Sequence, residues 1–301
     1  MKKIIAGIFC LFSLIASAQD YKLVWEDNFD KPALNEANWT AVISGSGGGN
    51  RELQYYRKEN ISIGKEPVTG ESCLIITAKK EHHMFKSFTS GRLSTKNKMT
   101  FKYGKIEARI KFPKTSNGLW PAFWMLGKNY PKEVWPKCGE IDILEMGNNN
   151  GIVTGTQDRF FNGACHWGEK FNHGKYPNYA KSNVNPYCLQ DGFHLYTLIW
   201  DENALKMYVD LDKYPTNPPY FEMPINGKNE INNPAHYFHK QFFVVFNLAV
   251  GGNFTGIRNA NKITALKNGD AKMYVDYVRV YQKGQPNEEF QYATEIVKPK
   301  K

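Results

Sequence analysis

Apolar residues along the chain fall into many short segments, divided by clusters of Gly, Asn, Pro and Lys. Segments 73–78, 104–112, 194–200, 242–249 and 273–281 are the clearest of these. In the second, Ile106, Ala108, Ile110 and Phe112 alternate with Lys105, Glu107, Arg109 and Lys111. A period of two puts the apolar side chains on one face of an extended strand and the charges on the other. Long runs with helical spacing are nearly absent. The pattern therefore predicts an all-β protein, with two antiparallel sheets packed as a sandwich. After Tyr281 the sequence turns polar, which predicts that the chain leaves the sheet and that 284–301 form a polar C-terminal tail.

The first residues have a different character. Lys2 and Lys3 precede an apolar run from Ile4 to Ile15, followed by Ala16, Ser17 and Ala18. A basic start, a short apolar core and a small-residue cleavage site describe a secretory signal peptide over 1–18. The expectation is a secreted, periplasmic or cell-surface protein with one catalytic-sized domain over 19–283. No other stretch approaches the ~18 apolar residues of a membrane-spanning helix. The remaining cysteines, Cys73, Cys138, Cys165 and Cys188, lack a Cys-x-x-Cys zinc spacing. One bridge and buried free thiols both stay open.

The net charge of +10 brings acidic partners into view, but the positive residues are scattered and no run reaches five. That argues against nucleic acid and leaves an anionic glycan open. Aromatic residues make up 14% of the chain, with 7 Trp and 17 Tyr. Beyond what a core needs, such flat faces suit stacking against pyranose rings.

The chemistry centres on Glu140-Ile141-Asp142-Ile143-Leu144-Glu145. In an unbroken strand Glu140 and Asp142 share a face, while Glu145, five positions from Glu140, points the other way. One extra residue, a β-bulge at Ile143 and Leu144, restores the parity and gathers the three carboxylates. Carboxylates so close repel one another, so their pKa values must spread and one must stay protonated near neutral pH. A carboxylate nucleophile paired with a protonated acid ~5–5.5 Å away is what a retaining glycosidase needs.

This run resembles the E-x-D-x-x-E active-site strand of glycoside hydrolase family 16, in the bulged form of laminarinases and their relatives. Segments 23–29, 50–56, 91–96, 103–109, 119–127, 247–252 and 275–281 resemble further motifs of that family, in the same order. The resemblance spans roughly Tyr21 to Gln282. It implies a β-jelly-roll sandwich with an open substrate groove, in which Glu140 is the nucleophile, Glu145 the general acid/base and Asp142 the assisting carboxylate. It further implies a monomeric endo-β-glycosidase acting on internal β-1,3 or β-1,4 linkages, with β-1,3- or mixed-linkage glucan first. Endo-β-galactosidase activity on mucin-type O-glycans or galactans is the alternative, and a non-catalytic lectin a third reading.

The same resemblance assigns Trp120, Trp124, Trp135 and His166 to substrate binding, with a core position expected for one tryptophan, Trp124. Asn50 and Arg92 are expected to hydrogen-bond sugar hydroxyls or orient carboxylates; Arg92 beside an acid would keep it ionised. No cofactor is required, but a structural calcium on the convex face is implied, held by Asp276 with Asn28. Two features depart from the family pattern. Residues 146–163 form a longer connection, expected to project over the groove, and Phe254 stands where Trp is usual.

Overall fold

Strand Gly104–Lys111 shows how the alternation is used: Ile106, Ala108 and Ile110 are fully buried, while Lys105, Arg109 and Lys111 stay half-buried on the opposite face. The computed structural model describes residues 20–170 and 175–293. The expected signal peptide lies outside the described residues, as do Lys298 to Lys301.

Two large antiparallel sheets form the expected jelly-roll sandwich, with a short parallel pair, Gln54–Tyr56 and Phe88–Ser90, beside them. The first runs Phe221–Pro224, Ala204–Val209, His194–Trp200, Gly104–Lys111, Ala271–Gln282, Ser72–Ala78 and Ile61–Lys65, with Lys22–Asp27 also paired to Ala271–Gln282. The second runs Asn178–Val184, Phe160–His166, Glu140–Met146, Leu119–Gly127, Phe242–Val250, Arg92–Ser94 and Thr40–Ala41. Between the sheets lies one apolar core, to which the first contributes Leu74, Ile76, Leu198, Val278 and Val280 and the second Phe123, Ile141, Leu144, Phe246 and Leu248. Each such side chain contributes about 1.5–3 kcal/mol on burial, so this layer dominates stability.

As far as Ala293 the polar tail does not leave the fold. Glu289–Tyr292 pairs antiparallel with Met99–Lys102, extending the second sheet. Phe290 and Tyr292 pack against the core, and the Gln282 amide donates to the carbonyls of Lys102, Tyr103 and Glu289. Two apolar residues at strand spacing are enough to hold a segment that its polar neighbours disguise.

The four cysteines among the described residues are free, with Cys73, Cys138 and Cys165 buried. The second sheet carries a smaller apolar cluster on its outer face: Ala122, Trp124, Leu126, Cys138, Phe243 and Val245, with Tyr130 and Trp135 against it. Trp124 is thus buried in an apolar cluster as expected, but in this outer one rather than between the sheets. Leu119, Phe123 and Met125 take the inward positions of its strand and leave Trp124 facing outward.

Candidate active site

The predicted bulge is present. Against Phe160–His166, Asp142 faces Ala164 and Glu145 faces Asn162, so Gly163 alone stands opposite Ile143 and Leu144. Against Leu119–Gly127, Trp124 faces Asp142 and Phe123 faces Leu144, which leaves Ile143 without a register partner on either side. Ile141, Ile143, Leu144 and Met146 enter the core, and the three carboxylates emerge on the outer face.

Register aligns this face into rows across the strands. Asn162, Glu145, Ala122, Asn247 and Arg92 are successive partners in one row. Asn178, His166, Glu140, Leu126 and Phe243 form another, and Asp142 with Trp124 and Val245 runs between. The strands thus bring Arg92, Trp124 and His166, distant in sequence, to the carboxylates of Glu140, Asp142 and Glu145.

The carboxylates are tightly held. Asp142 is 4% exposed and Glu145 8%. His166 Nε2 lies 3.1 Å from Asp142 Oδ2 and 4.0 Å from Glu140 Oε1. His166 Nδ1 is buried with no partner among the described residues, so the proton of a neutral ring sits best on Nε2, facing Asp142. Trp120 donates from Nε1 to Glu145 Oε1 at 2.9 Å, and its ring stacks on Phe254 with centroids 4.7 Å apart. Trp124 donates to Asn247 Oδ1 at 2.7 Å, and the Arg92 guanidinium lies 4.6 Å over the Trp124 ring.

Burial is the first cause that pushes all three acids up, each to about 8. Repulsion from Asp142 adds to the rise at Glu140 and Glu145. Opposing pulls differ: His166 and Arg92 lower Glu140, whereas the Trp120 hydrogen bond and His166 lower Glu145. The group therefore holds protons at neutral pH. The Arg92 field acts on Glu140, in line with the expectation for a residue that must ionise.

Around this centre, Trp135 lies edge-on to Tyr176 at 4.7 Å, and Tyr176 is 5.5 Å from the His166 ring. Tyr176 was not foreseen. Its hydroxyl is raised to about 12, by burial first and then by Glu140, Asp142 and Glu145. It lies in the connection between two strands, outside any alternating pattern, and only its aromatic type hinted at a role. Asn50 sits one loop farther out. Its carbonyl accepts from the Asn253 amide at 2.8 Å, next to Phe254, so it borders the site rather than entering the carboxylate cluster.

The long connection after the catalytic strand folds as a short helix, Asn149–Thr154, capped by the Asn148 side chain. The Asn149 amide donates to the Phe254 carbonyl at 3.0 Å, so the helix is tied to the loop whose ring covers Trp120. The departures at 146–163 and at Phe254 are thus one structural unit.

Two metal questions can be tested on the residues. Glu140, Asp142 and His166 offer ligand atoms within 4.8 Å of one another, a set that a cation can enter. The calcium pair fits less well. Asp276 accepts from Arg109 Nη1 at 2.6 Å, and the same nitrogen reaches Glu71. Asn28 Oδ1 accepts from Arg279. Guanidinium groups already supply positive charge to both oxygens, so as arranged these residues do not fit calcium.

A buried set of acids, a histidine beside two of them and indole rings flanking the third can protonate one oxygen while a second attacks carbon. Residues 55–222 match Glycosyl hydrolases family 16. The chain is 36% identical over 267 residues to the clotting factor G alpha subunit of Tachypleus tridentatus, covering 87% of this chain and 34% of that protein. It is 32% identical over 284 residues to glucan endo-1,3-beta-glucosidase A1 of Niallia circulans, covering 86% of this chain and 38% of that protein. The chain thus spans little more than a third of the length of these relatives. Among solved structures, a family 16 protein of the Bacteroides ovatus mixed-linkage glucan locus, in complex with a G4G4G3G product, superposes with a TM-score of 0.74 at 40% identity. That match covers 86% of this chain and 100% of the other. Sequence, fold and the bulged trio of carboxylates agree, and the chain belongs to glycosyl hydrolases family 16.

Proposed function

We propose that the protein is a secreted, retaining endo-β-glucanase that cleaves internal bonds of β-1,3- or mixed-linkage glucan. The observation that carries this reading is the set Glu140, Asp142 and Glu145 on one outer sheet face, made possible by the bulge at Ile143. In the first step a Glu140 oxygen attacks the anomeric carbon, while Glu145 gives its proton to the departing glycosidic oxygen. The product is a glycosyl ester of Glu140. Glu145, now a carboxylate, takes a proton from water, and the water oxygen displaces Glu140 from the same carbon. Two inversions leave the β-configuration intact.

The surrounding residues fit these roles. Arg92 and His166 favour the ionised form of Glu140, and Asp142 holds the His166 ring through its Nε2 at 3.1 Å. Burial of Glu145 keeps its proton at neutral pH. Trp120, Trp124 and Trp135 offer ring faces and edges along the rows, and Asn50 and Arg92 supply polar contacts toward one end. A site laid across an outer sheet face suits a polymer passing over it, hence internal attack.

The test is digestion of laminarin, barley-type mixed-linkage glucan and mucin, with products sized over time. Oligosaccharides of several lengths from either glucan are expected early, and Glu140→Gln should abolish them. Release from mucin alone would overturn the glucan reading in favour of a galactosidase. Binding without cleavage by the wild type would leave a lectin.

A further inference from the structure

The bulge that aims Glu145 raises a question of support. Ile143 has no register partner on either neighbouring strand, so the ladder alone does not fix its place. Its carbonyl accepts a hydrogen bond from the hydroxyl of Tyr220, 77 positions away and immediately before the edge strand Phe221–Pro224 of the first sheet. Tyr220 is itself tied down at both ends of its peptide unit. Its amide donates to the Met207 carbonyl at 2.9 Å, and its carbonyl accepts from Asn183 Nδ2 at 3.5 Å. Its ring stands edge-on to Phe161 with centroids 4.9 Å apart.

A glycine leaves room for this ring. Gly163 is the residue opposite the bulge, and a Cβ there would come within 3.0 Å of Tyr220 Cε2 and 2.9 Å of Met207 Sδ. Here the absence of a side chain serves close approach rather than backbone conformation. Gly163, the Tyr220 ring and the Ile143 carbonyl that its hydroxyl reaches form one unit.

We infer that Tyr220 is a positioning residue: a strut from the edge of the first sheet that fixes the bulge and thereby the direction of Glu145. It touches no substrate and acts through the backbone of Ile143. The inference rests on the reading of Glu145 as the acid that protonates the leaving group. A bulge left without its hydrogen bond can turn, and misplacing a reacting group by ~1 Å costs about 100-fold.

The test exploits a dependence that general destabilisation would not produce. Cleavage of glucan expels a sugar alkoxide that needs the Glu145 proton, whereas a dinitrophenyl β-oligoglucoside expels an acidic phenolate that does not. Tyr220→Phe keeps the ring and removes the hydroxyl. For this variant kcat/KM on glucan should fall about 10- to 100-fold, while kcat/KM on the dinitrophenyl substrate stays within about threefold. Gly163→Ala, which displaces the ring, should reproduce the same split. Hydrogen exchange supplies a second readout independent of turnover: amides 144–146 should exchange faster in Tyr220→Phe, with those of Phe242–Val250 unchanged. An equal loss on both substrates, or no loss on glucan, would overturn the inference. If the wild type cleaved neither substrate, the proposed function would fail, and unchanged exchange at 144–146 would by itself sink the strut.

Discussion

Replacing Glu145 by Gln removes an ionisable group while keeping its volume and the oxygen that accepts from Trp120. In the folded protein burial and Asp142 raise Glu145 from its ordinary 4.5 to about 8. Between those pH values the native state holds a proton that the unfolded chain has released. Stability then falls as pH rises, because protons bind more to the native form. At about 1.4 kcal/mol per pH unit, the interval from 4.5 to about 8 amounts to roughly 4–5 kcal/mol for this group. Gln carries no such dependence. The variant should match wild type near pH 4.5 and become more stable by several kcal/mol at pH 8. Urea denaturation at pH 4.5, 6.5 and 8, with the slope checked for constancy, measures this. Parallel pH dependence of the two proteins, within about 1 kcal/mol, would refute the claim that Glu145 is held protonated by its surroundings.

Three further outcomes follow from the same geometry. For Asp142→Asn, loss of a like charge whose oxygen lies within 4.8 Å of Glu140 removes about 3 kcal/mol of repulsion at an effective dielectric of ~20. The acid limb of the pH–kcat/KM profile should accordingly move down by as much as ~2 pH units. Trp120→Phe keeps a ring against Phe254 but deletes the donor to Glu145, so the basic limb should rise by about half a pH unit to one unit, again read from the profile. Ending the chain at Gln282 removes Phe290 and Tyr292 from the core edge and should cost about 2–4 kcal/mol, measured as a lower urea midpoint at unchanged slope.

Much of this arrangement was legible because it obeys strand parity. Glu140 and Glu145 are an odd number of residues apart, and only an extra residue at Ile143 and Leu144 can put both on one face with the apolar neighbours inside. That reasoning needs no partner strand. The alternation over 104–112 likewise fixed its buried face without reference to the rest of the fold. What escaped depends on distant residues. The strand Glu289–Tyr292 has only Phe290 and Tyr292 to mark it among polar neighbours, and it forms because the edge at Met99–Lys102 is there to pair with. Tyr220 stands beside two prolines in a segment that reads as a turn, and nothing local reveals the Ile143 carbonyl it meets. The burial of Trp124 was legible but not its side, because the strand is apolar on both faces: one meets the sandwich interior and the other lies beneath the carboxylates. Asp276 was assigned to calcium by resemblance, and Arg109 from the adjacent strand takes its charge instead.

The central claim, that Glu140 forms a covalent bond to sugar while Glu145 supplies the proton, is tested most directly by trapping. Incubation with an activated 2-deoxy-2-fluoro β-oligoglucoside slows hydrolysis of the intermediate, and tandem mass spectrometry of the peptide containing 140–145 locates the added mass. The account predicts the adduct on Glu140. An adduct on Glu145, or none on either residue while the enzyme still turns over glucan, would contradict it.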